Sequence, residues 1–260
     1  MTDAAKRLRK TVLKMTYAGA DGNLQSNFSS IEILRVVFDR AMRITPDMMA
    51  DPGRDKFVLS KGQSTMGLLA ILSEKGFIHE DELWSACKYN SRISMQADRT
   101  KLPCVEISAG SLGHGFPMAV GMAWANKIAR RDGIIYVLAG DGEMNEGTMW
   151  EAAIFAGSEK LDNLVLIIDD NASIGEMVNM GNLSAKMCAF GFCTVETDGH
   201  DEDALASALQ TEHKGCPLAV VAKTKRGYGS HIMMEDRSWF HRAPTREELE
   251  KLLQDVGNYE

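Results

Sequence analysis

Two short apolar runs on either side of a glycine-flanked aspartate constrain the fold of this chain more than any other feature. The runs, residues 134–139 and 164–168, are rich in branched side chains and do not alternate with polar ones. Such runs are typical of parallel strands that are buried on both faces. The segment between them is long enough for one crossover helix, so the pattern predicts a βαβ unit. We therefore expect an α/β fold with a parallel sheet flanked by helices.

Each of the two predicted strands is followed by polar or flexible residues. Gly140-Asp141-Gly142 follows the first strand, and Asp170-Asn171 follows the second. Ligands of such sheets collect at the carboxyl ends of the strands. The glycines would let the backbone approach a phosphate at the N-terminus of the next helix. Asp141 and Asn171 offer the hard oxygen ligands that Mg²⁺ prefers, so the pattern predicts a site for Mg²⁺ and a diphosphate.

A Gly-Asp-Gly sequence can also be an ordinary tight turn, because both residue types are common in turns. The surrounding sequence favours a ligand site. A predicted strand precedes the turn, Glu146 and Glu151 lie in the predicted helix after it, and Asp-Asp-Asn ends the next strand about thirty residues after Asp141.

Composition restricts the classes of protein that this chain can belong to. Its 260 residues suffice for one substantial core and favour a single domain over residues 1–260. The net charge of −7, with dispersed basic residues, argues against a nucleic-acid partner. No apolar run reaches the roughly 18 residues that span a bilayer, and the basic N-terminus lacks the apolar segment of a secretory signal.

The cysteine content predicts a reducing environment. There are five cysteines, an odd number, and no two of them have CxxC spacing. We therefore expect reduced thiols and a cytoplasmic protein rather than a disulfide framework. The cysteines are Cys87, Cys104, Cys188, Cys193 and Cys216.

Several motifs resemble those of thiamine diphosphate enzymes, and of transketolases in particular. GDG followed about thirty residues later by Asn is similar to the general cofactor signature, and GDGEMNEGTMWEAAIFAGSEKLDNL is similar to its transketolase version. The similarity runs from about residue 11 to residue 249. It includes SSIEIL, DKFVLSKG, VEISAGSLGHG and HRAP, at residues 29–34, 55–62, 105–115 and 241–244.

The resemblance implies thiamine diphosphate and Mg²⁺ as cofactors. Gly110 and Leu112 would line the thiamine pocket, and His241 would lie beside the diphosphate. The backbone carbonyl of Ser173 would be a third metal ligand, and residues 174–176 would follow the metal loop. The full set of cofactor-binding residues implied in this way is Gln63, Gly110, Leu112, Gly140, Asp141, Gly142, Glu143, Asn171 and His241, with Asp141, Asn171 and Ser173 on the metal.

Amides replace three histidines that transketolases place near the substrate. Asn23, Gln63 and Gln96 stand at those positions, where they can form hydrogen bonds but cannot carry a proton near neutral pH. His241 is the substrate-side histidine that remains. The resemblance therefore implies substrate-binding or catalytic roles for these four residues and an unusual substrate.

For a histidine, two glutamates and a basic turn, either two interpretations are open or a role at an interface between chains is expected. His114 stands where the family usually has Gln, and is either a new acid/base group or a helix-start histidine packed against its neighbours. Glu146 and Glu151 are expected at an interface between chains, in a proton-linked carboxylate network. The basic turn 223–227 either faces phosphate or is a solvated loop.

The resemblance implies that this chain is one subunit of a split transketolase. The pyrimidine-binding domain, with the glutamate that activates the cofactor, is absent and is expected on a separate C-terminal subunit, in a heterotetramer with two copies of each chain. The expected reaction moves a two-carbon ketol unit from a ketose to an aldehyde, with sugars or sugar phosphates as substrates.

Two alternatives remain open. Residues 22–27 are similar to the GHLGSN stretch of deoxyxylulose-phosphate synthases, which decarboxylate pyruvate. The replaced histidines also fit a non-catalytic homologue that binds the cofactor.

Overall fold

A five-stranded parallel sheet forms the centre of the computed structural model, which describes residues 1–108, 110–173 and 178–259. The strand order is β1-β2-β3-β5-β4, and every neighbouring pair is parallel. The predicted fold is confirmed, although residues 174–176 lie outside the described part. The strands are β1 (Lys56–Leu59), β2 (Ile135–Gly140), β3 (Leu164–Asp170), β4 (Cys193–Asp198) and β5 (Leu218–Lys223).

Helices cover both faces of the sheet. Within the described ranges, no helix has both the length and the apolar character needed to cross a membrane. The α-helices are α1 (Asp3–Gly19), α2 (Leu24–Ser29), α3 (Ile31–Val36), α4 (Thr65–Glu74), α5 (Glu80–Leu83), α6 (Gly115–Ile128), α7 (Gly147–Ser158), α8 (Leu183–Ala189), α9 (Glu202–Leu209), α10 (His231–Glu235) and α11 (Arg246–Asn258).

Shorter helical turns connect several of these elements. Two of them follow strands directly and therefore lie at the carboxyl edge of the sheet, where a ligand is expected. They are the 3₁₀ turns Gly62–Ser64, after β1, and Gly142–Asn145, after β2. The others are a π-helical turn, Val37–Ala41, and the 3₁₀ turns Pro46–Ala50 and Arg237–Trp239.

The sheet separates two hydrophobic cores, because successive strand residues point to opposite faces. Tyr136 and Leu138 of β2 pack with helices α1 to α4, α9 and α11. Val137 and Ala139 pack with α6, α7 and α8 on the other side. Since both faces are buried, the strands need no polar alternation, which explains the continuous apolar runs in the sequence.

Threonine side chains cap the first turns of two helices. The Thr2 side chain caps α1 by accepting from the Ala5 N–H at 3.3 Å. At the start of α11, the Thr245 hydroxyl accepts from the Glu248 N–H, and the Glu248 carboxylate accepts from the Thr245 N–H at 2.8 Å. This reciprocal pair is a capping box, formed by a threonine and a glutamate three residues apart.

The prediction that all five thiols are reduced is wrong. Cys193, at the start of β4, and Cys216, just before β5, form a disulfide with their Cα atoms 6.1 Å apart. Their separation of 23 residues carries no motif, and they meet only because β4 and β5 are neighbours in the sheet. Free thiols remain at Cys87, Cys104 and Cys188.

Candidate cofactor site

A cavity of about 470 Å³ lies at the carboxyl edge of the sheet. The loops that follow β1, β2, β3 and β5 contribute to its wall, so it lies where parallel sheets bind their ligands. Its lining residues are Ser26, Lys61, Gln63, Leu112, Gly140, Asp141, Gly142, Glu143, Asn171, Ser173, Arg226, Arg237 and Phe240.

The three predicted metal residues form one cluster in this cavity. The Ser173 hydroxyl donates to Asp141 Oδ1 at 2.6 Å, and the Ser173 N–H donates to Asn171 Oδ1 at 3.1 Å. Asp141 and Asn171 are 3% and 6% exposed. One carboxylate and one amide oxygen suit a Mg²⁺ ion that takes its other ligands from a diphosphate and water. Among the described residues, no three His, Cys, Asp or Glu side chains are grouped so that they could hold a metal.

A buried ion pair lies beneath this cluster. Lys61, which follows β1, donates to Asp169 Oδ2 of β3 at 2.5 Å. Asp169 is fully buried and also accepts from the hydroxyls of Ser29, at 2.7 Å, and Thr224. The carboxylate thus joins the ends of β1, β3 and β5 to the end of α2. It fixes the strand ends from which the cavity is built.

Glu143 lines the cavity, and one of its carboxylate oxygens has no hydrogen-bond partner among the described residues. Its Oε1 accepts from the Ser60 hydroxyl at 2.5 Å and from the Gly113 N–H at 2.9 Å. Its Oε2 is buried and has no hydrogen-bond partner in the described part of the chain. Burial raises the pKa of Glu143, and the hydrogen bonds from Ser60 and Gly113 oppose that rise.

The three amides that replace histidines have different positions. Gln63 lines the cavity. Gln96 lies against Gly62, where an added Cβ would be 2.2 Å from Gln96 Oε1. Asn23 is 1% exposed and is absent from the cavity wall. Among the described residues, Asn23 Oδ1 and Gln96 Oε1 are buried without a hydrogen-bond partner.

Neither predicted histidine lines the cavity. His241 is exposed at a left-handed φ of 55°, and its ring contacts Phe240, which does line the cavity, with centroids 4.7 Å apart. His114 is exposed at the start of α6, with Nδ1 3.0 Å from the Leu112 carbonyl oxygen. His114 therefore contacts its neighbour without being buried against it.

The remaining predicted residues surround the cavity or lie outside it. Gly110 has a φ of 151° and packs near Gln96. Glu146, just before α7, and Glu151, within α7, are both exposed. An exposed position is the one expected for carboxylates that meet a partner chain.

Two arginines in the cavity wall were not predicted as site residues. Arg226 donates to Gln25 Oε1 at 3.0 Å, and its guanidinium carbon lies 5.5 Å from the centroid of the Phe240 ring. Arg237 belongs to the 3₁₀ turn before Phe240. The basic turn after β5 was the available signal for Arg226. Within that turn, Arg226 lines the cavity and Lys225 is exposed.

A parallel sheet with a glycine-flanked aspartate and an asparagine at neighbouring strand ends defines an α/β domain that is built to bind a diphosphate. A sequence model described as "Transketolase, thiamine diphosphate binding domain" matches residues 2–258. The chain therefore belongs to the transketolase family and contains its thiamine diphosphate-binding domain.

Individual relatives agree with this assignment. One of them is named as a single subunit of the apulose-4-phosphate transketolase of Actinobacillus succinogenes. It is 34% identical over 254 residues, covering 95% of this chain and 92% of that protein. Human transketolase is 35% identical over 266 residues, covering 98% of this chain and 42% of that protein.

Solved structures show the same relation. A Pichia stipitis transketolase in complex with sedoheptulose 7-phosphate superposes with a TM-score of 0.90 at 25% identity, covering 98% of this chain and 40% of that chain. This chain thus spans about two fifths of that transketolase and nearly all of the A. succinogenes relative.

Proposed function

We propose that this chain binds Mg²⁺ and thiamine diphosphate and, together with a separate partner chain, transfers a two-carbon ketol unit from a ketose to an aldehyde. The observation that carries the proposal is the convergence of Asp141, Asn171 and Ser173 in one cavity at the carboxyl edge of the sheet. When bound, the cofactor supplies the nucleophilic carbon that adds to the ketose carbonyl.

The residues of this chain bind and orient that cofactor. Asp141 and Asn171 would hold Mg²⁺ through their side-chain oxygens. Arg226 and Arg237 bring positive charge to the cavity wall, which would offset the charge of a diphosphate or of a phosphorylated substrate. The exposed His241, next to Phe240 at the cavity wall, would reach the diphosphate only after its side chain turns inward.

The partner would carry the pyrimidine-binding domain and the activating glutamate. Two observations support a separate chain. The bacterial relative of matching length is named as one subunit of its enzyme. Glu146, just before α7, and Glu151, within it, are exposed where a second chain could cover them. By family analogy, the assembly would contain two copies of each chain.

The substrate would differ from that of ordinary transketolases. Histidines that move protons during catalysis contribute roughly 10²–10⁴-fold, and amides retain only their hydrogen bonds. We therefore expect weak turnover of xylulose 5-phosphate. Apulose 4-phosphate is the first donor to test, because it is in the name of the A. succinogenes relative.

The use of phosphorylated sugars would also place the protein in the cytoplasm, which imaging of a tagged chain would test.

Native mass spectrometry of the protein purified from its own cells in Mg²⁺ and thiamine diphosphate tests this function. We expect a complex with a second polypeptide and bound cofactor, and loss of the cofactor in Asp141→Ala. The matched control is Asp170→Ala, since Asp170 also lies at the carboxyl end of a strand but pairs with Lys223 at 2.5 Å. A homo-oligomer without cofactor would contradict the proposal.

Donor assays of the same complex separate the alternatives. Ketol transfer from a sugar phosphate would support the proposal. CO₂ release from pyruvate would instead identify a carboligase of the deoxyxylulose-phosphate synthase type. A loaded cofactor without turnover of any donor would identify a non-catalytic homologue.

A further inference from the structure

Ser29 lies at the centre of the buried polar cluster beneath the cavity. It is fully buried, and its Oγ lies 2.7 Å from Asp169 Oδ2, 3.0 Å from Lys61 Nζ and 3.2 Å from Asn171 Nδ2. The Ser26 carbonyl oxygen is 3.1 Å away. Ser29 is absent from the cavity wall, so it would act on a ligand only through its neighbours.

The neighbours of Ser29 determine which of its hydrogen bonds donate and which accept. A hydroxyl has one hydrogen to donate and two lone pairs that accept. The Asp169 carboxylate and the Ser26 carbonyl can only accept, so the hydrogen goes to one of them, and Asp169 is nearer. Lys61 can only donate and occupies one lone pair. The second lone pair is left for Asn171, which must therefore present its nitrogen to Ser29.

The other end of the Asn171 amide then faces the predicted metal. With Nδ2 directed at Ser29, Oδ1 accepts from the Ser173 N–H at 3.1 Å, and the hydroxyl of the same Ser173 holds Asp141 Oδ1 at 2.6 Å. A reversed amide would bring its NH₂ group towards the Ser173 N–H and the cation. It would also leave Ser29 facing an oxygen to which it has no hydrogen to give.

We propose that Ser29 is a positioning residue that orients the Asn171 amide so that its oxygen is presented to Mg²⁺. This inference rests on the proposed function, because it requires a metal at Asp141 and Asn171. Partners that orient metal ligands from behind typically contribute about 10- to 100-fold to metal affinity. Ser29 would contribute in this way without touching the metal or the substrate.

The test is a calorimetric titration of Mg²⁺ into the full chain, with any partner chain that copurifies, at saturating thiamine diphosphate. We expect Ser29→Ala to weaken Mg²⁺ binding roughly 10- to 100-fold. Ser30→Ala is the matched control. Ser30 is equally buried, but its hydroxyl bonds to Ser64 Oγ at 2.9 Å and to the Asn27 carbonyl at 3.0 Å, away from Asn171. We expect this control to keep the Mg²⁺ affinity of the unchanged protein.

A double-mutant cycle separates orientation of the amide from general support of the fold. In Asn171→Asp the side chain has oxygens at both ends, so its orientation no longer matters. Adding Ser29→Ala to Asn171→Asp should then change Mg²⁺ affinity by less than about twofold. An equal loss in both backgrounds would show a purely structural role and overturn the inference. If Ser29→Ala does not fold, Ser29→Cys keeps the size with a weaker hydrogen-bonding group and should show an intermediate loss.

The outcomes distinguish this inference from the function on which it rests. Failure of the unchanged protein to bind thiamine diphosphate in Mg²⁺ would overturn both. Normal binding by the unchanged protein together with undiminished Mg²⁺ affinity in Ser29→Ala would overturn only the role of Ser29.

Discussion

The helices on the two faces of the sheet differ in what they bury. On the first face, α1 and α3 enclose a charged pair, in which Arg9 donates to both carboxylate oxygens of Glu32 at 2.6 and 2.8 Å. On the second face, α6 and α7 leave large apolar side chains in solvent. Trp124 and Phe155, which are 42% and 39% exposed, contact each other edge to face at 5.6 Å. The first face therefore buries a paired charge, whereas the second exposes neighbouring large apolar side chains, as surfaces that bind other proteins do.

The neighbours of Glu32 keep the buried pair on the first face charged. Burial raises the pKa of Glu32, but the charge of Arg9 and the hydrogen bonds from His200 and Arg9 outweigh it and lower the pKa to about 2. The pair is therefore fully ionised and satisfied inside the protein. Such a pair depends on both of its members, since either one alone would be an uncompensated buried charge.

The largest expected effect comes from breaking this pair. Arg9→Met should lower the free energy of unfolding by about 3–5 kcal/mol, because it leaves the buried Glu32 carboxylate without its guanidinium partner. Urea denaturation measures the change. Arg40→Met is the control, since Arg40 pairs with the exposed Asp203 at the surface and should cost no more than about 1 kcal/mol. Equal costs for the two variants would contradict the difference between a buried and an exposed pair.

Acid should remove the contribution of Glu32. Its pKa is about 2 in the folded protein and 4.5 ordinarily, so its stabilisation is present above pH 4.5 and is lost as the pH falls through 2. The difference between those values corresponds to about 3 kcal/mol. We expect the difference in unfolding free energy between the unchanged protein and Glu32→Gln to shrink by that amount between pH 6 and pH 2. A difference independent of pH would show that Glu32 does not titrate in this window.

A charge on the second face should affect assembly more than folding. Phe155→Glu places a carboxylate among exposed apolar side chains and removes the contact with Trp124, so it should lower the free energy of unfolding by about 1 kcal/mol. Binding of the partner chain should weaken by about 2 kcal/mol or more if this face is the interface. Sedimentation velocity of the purified complex measures the second effect. Unchanged assembly would show that the apolar face of α6 and α7 is not covered by the partner.

Much of the candidate site could be predicted from short sequence motifs. The motifs around Asp141 and Asn171 located two strand ends, and the structure brings both residues to one cavity with Ser173, Gln63 and Leu112. These motifs were informative because each strand end and its turn are contiguous in the chain. The roles assigned to these residues remain predictions.

Other residues of the site could not be found in this way. The cavity wall also contains Arg226 and Arg237, whereas His241 is exposed and does not line the cavity. Lys61 lies in a recognised motif, but its pairing with Asp169 spans 108 residues of sequence. No local pattern indicates which buried carboxylate a lysine will meet.

The sequence by itself determined the α/β fold and the positions of the central strands to within two residues, because these features depend on residues that are close together in the chain. Only the tertiary structure decided that Ser29, Lys61, Asp169 and Thr224 share one polar cluster, and that Cys193 bonds to Cys216. The order of strands in the sheet decides which distant residues become neighbours. That order is set by packing of the whole chain.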